Sequence, residues 1–447
     1  MSSADPRNLL SDLIAKAIKS GADQADAVAA AGTSVSHTQR LGKVESLERS
    51  ESHDLGLRVI VGKKQAVVSS NDWAPDALDE LVARAVTMAR AVPDDAYCGL
   101  ADPDQLTDRT DLNLDLFDPS EPGAEDLIER ARAAEDAALA VKGVNNSDGA
   151  SAEWSRWDIY LAASNGFVGG YKGSRHGIGV SVLAGEGTGM ETDYDYSSTV
   201  HGSDLRAPEE IGRSAGERAV AKLKPRKGAT KALPVVFDPR MSPSLVRHLT
   251  SAINGTSIAR GTSFLKEKLG QQVMSAALTI MDDPHRVRGL ASKPFDAEGL
   301  ANAPMALVED GVLQTWILDL HTARQLNLQS TGRASRGTSS PPSPSTTNVH
   351  LAAGTVSPKE LMSDITSGFY ITSLMGMGVN GITGDYSRGA SGFWIENGEI
   401  AYPVNEMTIA GNLKDMFMRM TAADDLEFLH ATNAPTVRID GMTIAGQ

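Results

Sequence analysis

Three short patterns in this 447-residue chain bring together residue types that could do chemistry. Gly212-Arg-Ser-Ala-Gly216 matches Gly-x-Ser-x-Gly, the arrangement in which a tight strand-to-helix turn exposes a serine nucleophile to a histidine base. Ile211, Ala215, Ala219 and Leu223 recur around it at helical spacing, which puts Ser214 inside a helix rather than on such a turn. Gly376-Met-Gly-Val-Asn-Gly381 follows a strand-like 369–374 and matches the dinucleotide fingerprint, whose glycines must open a helix with pyrophosphate at its N-terminus. Residues 382–392 after it are loop formers without a helical period. Asp282-Asp-Pro-His285 groups two carboxylates with an imidazole, a set that could hold a hard metal or move protons, and that equally reads as a capped turn. Cys98 is the only cysteine, so one chain can build neither an internal disulfide nor a multi-cysteine metal site.

The elements that would position these groups follow from pattern. At roughly 150 residues per domain the chain spans two or three packed units, and 41% hydrophobic with 22% charged residues is an ordinary folded balance. A net charge of −15 repels a phosphate backbone, which argues against direct nucleic-acid binding. The first residues show no basic-then-apolar leader and no run of roughly 18 apolar residues occurs, so a cytoplasmic chain without membrane contact is expected. Helical spacing predicts helices over 8–20, from Pro75, over 122–141, 208–223 and 242–253. Alternation predicts a hairpin over 56–70 and strands near 143–200 and 233–237, with Gly169-Gly170 and 185–189 read as hairpin turns. Asp310-Gly311 and Asn397-Gly398 between apolar runs mark two more hairpins. Residues 334–348, ASRGTSSPPSPSTTN, are too polar and proline-rich for core and read as a mobile flap, a binding loop or a plain surface loop. The expected fold is α+β, with mixed, mostly antiparallel sheets and flanking helices. Its expected units are an N-terminal α/β unit at 1–100, a central α+β unit at 101–225 and a β-rich unit at 226–447.

A longer match covers the last of these units. SAINGTSIARGTSFLKEKLGQQV (251–273), DDPHRVRGLASKPFDAEG (282–299), EDGVLQTWILDLHTARQLNLQSTG (309–332) and GVNGITGDYSRGASGFWIENGEIAYPVNEMTIAGNL (378–413) resemble the TldD/PmbA family, on the PmbA side, also called TldE and the "modulator of DNA gyrase" family. The resemblance implies that the TldD-like partner carries His-Glu-x-x-x-His on a helix, a cysteine near the C-terminus and a bound zinc or similar divalent metal. Such a site needs about three ligands and a carboxylate to take the proton of bound water. In the matching stretch here His248 takes the first ligand position, Leu249 stands where glutamate belongs, and Ile253 where the second histidine belongs. Around Asp424–Pro435 no cysteine appears, although His430 does.

The resemblance therefore implies a subunit with no catalytic residue, metal ligand or cofactor of its own. It would pair with a TldD-like chain as a heterodimer, or with itself when isolated, and act on unfolded peptides or leader segments. Gly384, Asp385, Tyr386, Ser387, Arg388 and Gly389 are its candidate peptide- or partner-binding loop. Glycines there would let an extended peptide approach as an added strand. Alternatively, Gly384 and Gly389 serve turn geometry while Asp385 and Arg388 form a local ion pair. Two rival functions stay open: a self-sufficient metallopeptidase using His248, His430 or the 282–285 cluster, and a regulatory binding protein of gyrase or toxin–antitoxin systems.

Overall fold

The computed structural model describes residues 5–446. Its first half is organised by one six-stranded antiparallel sheet in the order β3-β2-β1-β4-β5-β6. These strands are β1 (Gln24–Arg40), β2 (Lys43–Val61), β3 (Lys64–Ser70), β4 (Val144–Ala163), β5 (Val168–Ala184) and β6 (Glu191–Thr199). Because β1 pairs with β4 from Asp26↔Ala163 to Gln39↔Ala150, the sheet runs unbroken across the acidic junction near residue 100.

Strand alternation sorts this sheet into two faces. Ala25, Ala27 and Ala29 of β1 lie with Leu55, Leu57 and Val59 of β2 under α1 (Pro6–Lys19) and α2 (Pro75–Ala91). Farther along the same face, Ile178, Val180 and Val182 meet α3 (Ala124–Leu139) and α4 (Pro208–Ala221). The two later helices cross backbone to backbone: a Cβ on Gly212 would lie 2.0 Å from the Ala134 carbonyl oxygen, and one on Gly216 2.9 Å from that of Ala138. The spacing of Gly212 and Gly216 is thus a helix crossing, with Ser214 in mid-helix as expected.

Asp26 and Val28, on the opposite face, are covered by the C-terminal unit. That unit begins with β7 (Lys231–Phe237), α5 (Pro243–Ala252) and α6 (Gly255–Ala259). Five short strands make one sheet: β8 (Ile280–Asp283), β9 (Met305–Glu309), β10 (Val312–Leu313), β13 (Asn348–Leu351) and β18 (Thr432–Asn433). Between them lie α7 (Leu320–Leu326) and the ribbon of β11 (Ala334–Ser335) with β12 (Ser343–Pro344). After α8 (Pro358–Met362) come β14 (Ser367–Met375), β15 (Asp385–Glu396), β16 (Glu399–Asn412), α9 (Leu413–Met418), β17 (Met420–Ala422) and β19 (Val437–Ala445). The order β16-β15-β14-β7-β19 closes on itself, because Thr408–Ala410 of β16 pair with Thr443–Ala445 of β19. Closure into a small barrel leaves only the short β17, paired along β19, with an edge of its own. Hairpins form at Asp310-Gly311 and Asn397-Gly398, where the sequence signals put them. Among the described residues no helix is long and apolar enough to cross a membrane.

Two expectations are corrected. Gly169 and Gly170 lie inside β5; the turn is at residues 164–167, where Ala163 N–H donates to the Phe167 carbonyl. The glycines are needed because a Cβ on Gly169 would meet the Phe295 ring at 2.8 Å, and one on Gly170 the Tyr160 ring at 2.6 Å. Residues 334–348 form no free flap. Their ribbon packs on the first sheet so closely that a Cβ on Gly56 would lie 2.0 Å from the Thr338 carbonyl oxygen. Their polar character misleads because the buried arginines on and beside this segment are paired. Arg333 donates through Nε to Asp282 at 2.6 Å, and Arg336 holds Asp26, which also accepts from Arg58 Nε at 2.9 Å. Burial alone would raise the Asp26 carboxyl, but Arg336 and Arg58 hold it below its ordinary range.

Asp26→Ala leaves Arg58 and Arg336 buried without their shared carboxylate, which should cost about 3–5 kcal/mol in chemical denaturation. Gly56→Ala should cost about 1–3 kcal/mol through overpacking, and should make the 334–348 segment more readily cut in limited proteolysis.

Candidate functional site

Helix α5 starts at Pro243, which tolerates a first turn, and buries Leu245, Val246, Leu249 and Ala252 along one stripe. His248 is turned off that stripe and faces β15, where it meets Tyr386 edge-to-face with ring centroids 5.8 Å apart. Tyr386 is only 1% exposed. Beside them a cavity of about 290 Å³ is lined by His248 and Arg388, with Ala252, Phe264, Val379 and Leu413 supplying apolar wall.

The loop that forms the rim folds back on β15. Gly378 accepts from Ser387 N–H, and a Cβ there would lie 2.0 Å from the Ser387 carbonyl oxygen. Asn380 accepts through its side chain from Ile382 N–H at 2.9 Å, and Gly384 takes φ +85° before donating to the Asn380 carbonyl. The glycines of 376–381 therefore serve close backbone approach and no helix follows them, so the dinucleotide requirement is unmet. Met377, 93% exposed, stands at the mouth.

The six loop residues are brought together in sequence but not in role. Alternation along β15 sends Asp385 and Ser387 outward and Tyr386 and Arg388 inward. The local ion pair between Asp385 and Arg388 is absent for that reason: Asp385 instead accepts from Thr383 Oγ1 at 2.7 Å and Asn412 Nδ2 at 3.0 Å. Nor is the backbone of residues 385–389 open to an added strand. Its partners are Asn412 to Thr408 of β16 on one side and, on the other, residues 378–379 of the loop and Met375 of β14. Any contact with a peptide here would use side chains and the loop rim.

The electrostatics of the cavity are one-sided. Burial, then the charges of Arg388 and Arg247, push His248 down to about 4, so its imidazole is neutral at neutral pH and its Nε2 is buried without a partner. Burial pushes Tyr386 up to about 12. Arg388 lies beside the Tyr386 hydroxyl and forms no ion pair with a carboxylate among the described residues.

These residues do not fit a catalytic metal. Leu249 and Ile253, which the resemblance aligns with a base and a second ligand, are both 0% exposed in the apolar core. Among the described residues no group of three or more His, Cys, Asp or Glu gathers anywhere. His430 lines a different cleft and stacks on Tyr196 at 5.2 Å. Asp282 is neutralised by Arg333 and also accepts from Thr347 N–H at 2.9 Å, while His285 contacts Asn302 through Nε2 at 2.7 Å and its N–H is capped by Asp283. The 282–285 group is thus a capped turn beside a buried ion pair. Burial and then Asp95 raise the Cys98 thiol, the reverse of what an activated nucleophile needs.

Phe264, Val379 and Leu413 of the cavity wall went unnoticed in the sequence as a set. Residues 376–381 carried a signal, since a glycine run that opens no helix still brings backbone close to something.

Family models described as the first, central and C-terminal domains of PmbA/TldA metallopeptidases match residues 25–89, 117–223 and 230–446. The chain is 38% identical to "Metalloprotease PmbA" of Escherichia coli O157:H7, with 99% of this chain and 97% of that one covered. A solved protein of Bacteroides thetaiotaomicron, described as a candidate modulator of DNA gyrase, superposes with a TM-score of 0.92 at 26% identity, covering 100% of both chains. The TldE structure of Thermococcus kodakarensis shares the fold with a TM-score of 0.85 at 21% identity, covering 98% of this chain and 100% of that one.

Arg388→Gln removes one of the charges that depress His248, so its imidazole should titrate above its present value of about 4 in an NMR titration. The unfolded chain protonates this group near 6.5. The folded chain therefore loses stability as pH falls from about 6.5 towards 4, and the variant should lose less over that window.

Proposed function

This chain belongs to the PmbA/TldA metallopeptidase family, and on that premise we propose that it is the subunit without a catalytic metal in a two-chain cytoplasmic peptidase. A TldD-like partner supplies the zinc or similar metal and the base, and this chain completes the chamber that takes in unfolded or leader peptides. The observation that carries the reading is the pair Leu249 and Ile253, both fully buried where a base and a second ligand would have to stand. Without those groups no metal-bound water can be held or deprotonated on α5. A self-sufficient peptidase would have to assemble its metal from His248 and His430, which line different cavities, or from Asp282, which is already committed to Arg333.

A second reading, a binding protein that modulates a gyrase, draws on the description of the Bacteroides neighbour. With a net charge of −15, such an effect would run through protein contacts rather than DNA.

The purified chain, alone and with added zinc, should leave an unfolded peptide intact, and the TldD-like partner should cleave it at full rate only when this chain is present. Cleavage by this chain alone, or full activity of the partner alone, contradicts the subunit role.

A further inference from the structure

Several buried and half-buried arginines of this protein are answered by a carboxylate. Arg58, Arg240, Arg333 and Arg438 each hold an aspartate. Arg388 lines the α5 cavity without such a partner: it meets no carboxylate among the described residues, its Nε is buried without a partner, and Arg247, which acts on the same histidine, forms no ion pair either. In a chain of net charge −15, a guanidinium without a carboxylate partner in the cavity wall, with Arg247 acting on it from outside the lining, makes a local positive field there. Half-burial strengthens that field, because less water screens it.

The remaining wall narrows the ligand. Phe264, Val379, Leu413 and Ala252 are apolar, and His248 is neutral, so it adds a hydrogen-bonding edge without a second charge. A phosphate would want several donors and a polar shell, whereas one planar guanidinium matches one carboxylate through paired N–H donors. About 290 Å³ lies just below the usual range of ligand cavities, roughly 300 to 1,000 Å³, and suits one residue rather than a long segment.

We propose that this cavity binds the α-carboxylate of a peptide's C-terminal residue. Arg388 takes the carboxylate and the apolar side chain rests against Phe264, Val379 and Leu413. The cavity then holds chain ends, the species that every peptide cleavage produces. The inference goes beyond the subunit reading and needs neither metal nor partner nor cleavage, so the two can fail separately.

The test is calorimetric titration of the full-length chain alone with three blocked peptides: acetyl-Ala-Ala-Phe as free acid, the same peptide as C-terminal amide, and acetyl-Ala-Glu-Ala amide. The free acid should bind in the millimolar range or tighter, and both amides at least roughly tenfold more weakly, the loss of a charge-assisted pair. Arg388→Gln should remove the preference for the acid. Arg388→Lys, which keeps the charge but not the fork, should retain part of it and, with an unchanged thermal melt, serves as the folded control. Equal binding of acid and amide, no binding of the free acid, or an unchanged preference in either variant overturns the proposal. Stronger binding of the glutamate peptide would overturn the chain-end assignment in favour of a side-chain carboxylate.

Discussion

The Asp26 carboxylate, fully enclosed between Arg58 of its neighbouring strand and Arg336 of a segment 310 residues later, is the constraint on which the arrangement of the molecule rests. Two guanidinium groups and one carboxylate removed from water gain little net stability, since desolvation offsets most of their attraction. What they supply is position. Only one seating of the 334–348 ribbon on the sheet brings Arg336 to Asp26 while the Thr338 backbone clears Gly56. Phe295, Phe167 and Leu161 then close over Val28 as an apolar seal beside the charges.

From that seating the site follows. The ribbon is continuous with β13, which pairs with β8, and the Asp282 at that pairing holds Arg333 at the root of the same ribbon. The barrel packs into the same core through α5, so a helix that fills the barrel with Leu245, Leu249 and Ile253 has one face left to offer, and His248 is on it. The apolar residues where a base and a ligand would stand are load carriers in this packing. Replacing Leu249 by glutamate would bury an unpaired carboxylate before it could ever meet a metal.

Much of this was legible. Helical spacing around Ser214 excluded a nucleophile, Asp-Gly and Asn-Gly marked real hairpins, and the apolar residues at 249 and 253 stood out against the family's motif. Other features were hidden for physical reasons. β1 is alanine-rich and buried on both faces over Ala25–Ala29, so neither alternation nor β-propensity announces it. Gly169 and Gly170 look like a turn because sequence cannot show that the Phe295 and Tyr160 rings need their space. Arg333 and Arg336 read as surface residues because their acidic partners lie far away in sequence. For the cavity, the six-residue loop pointed to the right strand, while its period of two decided that only Tyr386 and Arg388 face inward.

The proposed division of labour is that the α5 cavity of this chain holds no catalytic metal and that a TldD-like partner carries it. Crystals of the two-chain complex grown with zinc, with diffraction recorded on both sides of the zinc absorption edge, address it directly. The account predicts anomalous density at the partner's His-Glu-x-x-x-His helix and none beside His248. A peak of comparable height within bonding distance of His248 would contradict it.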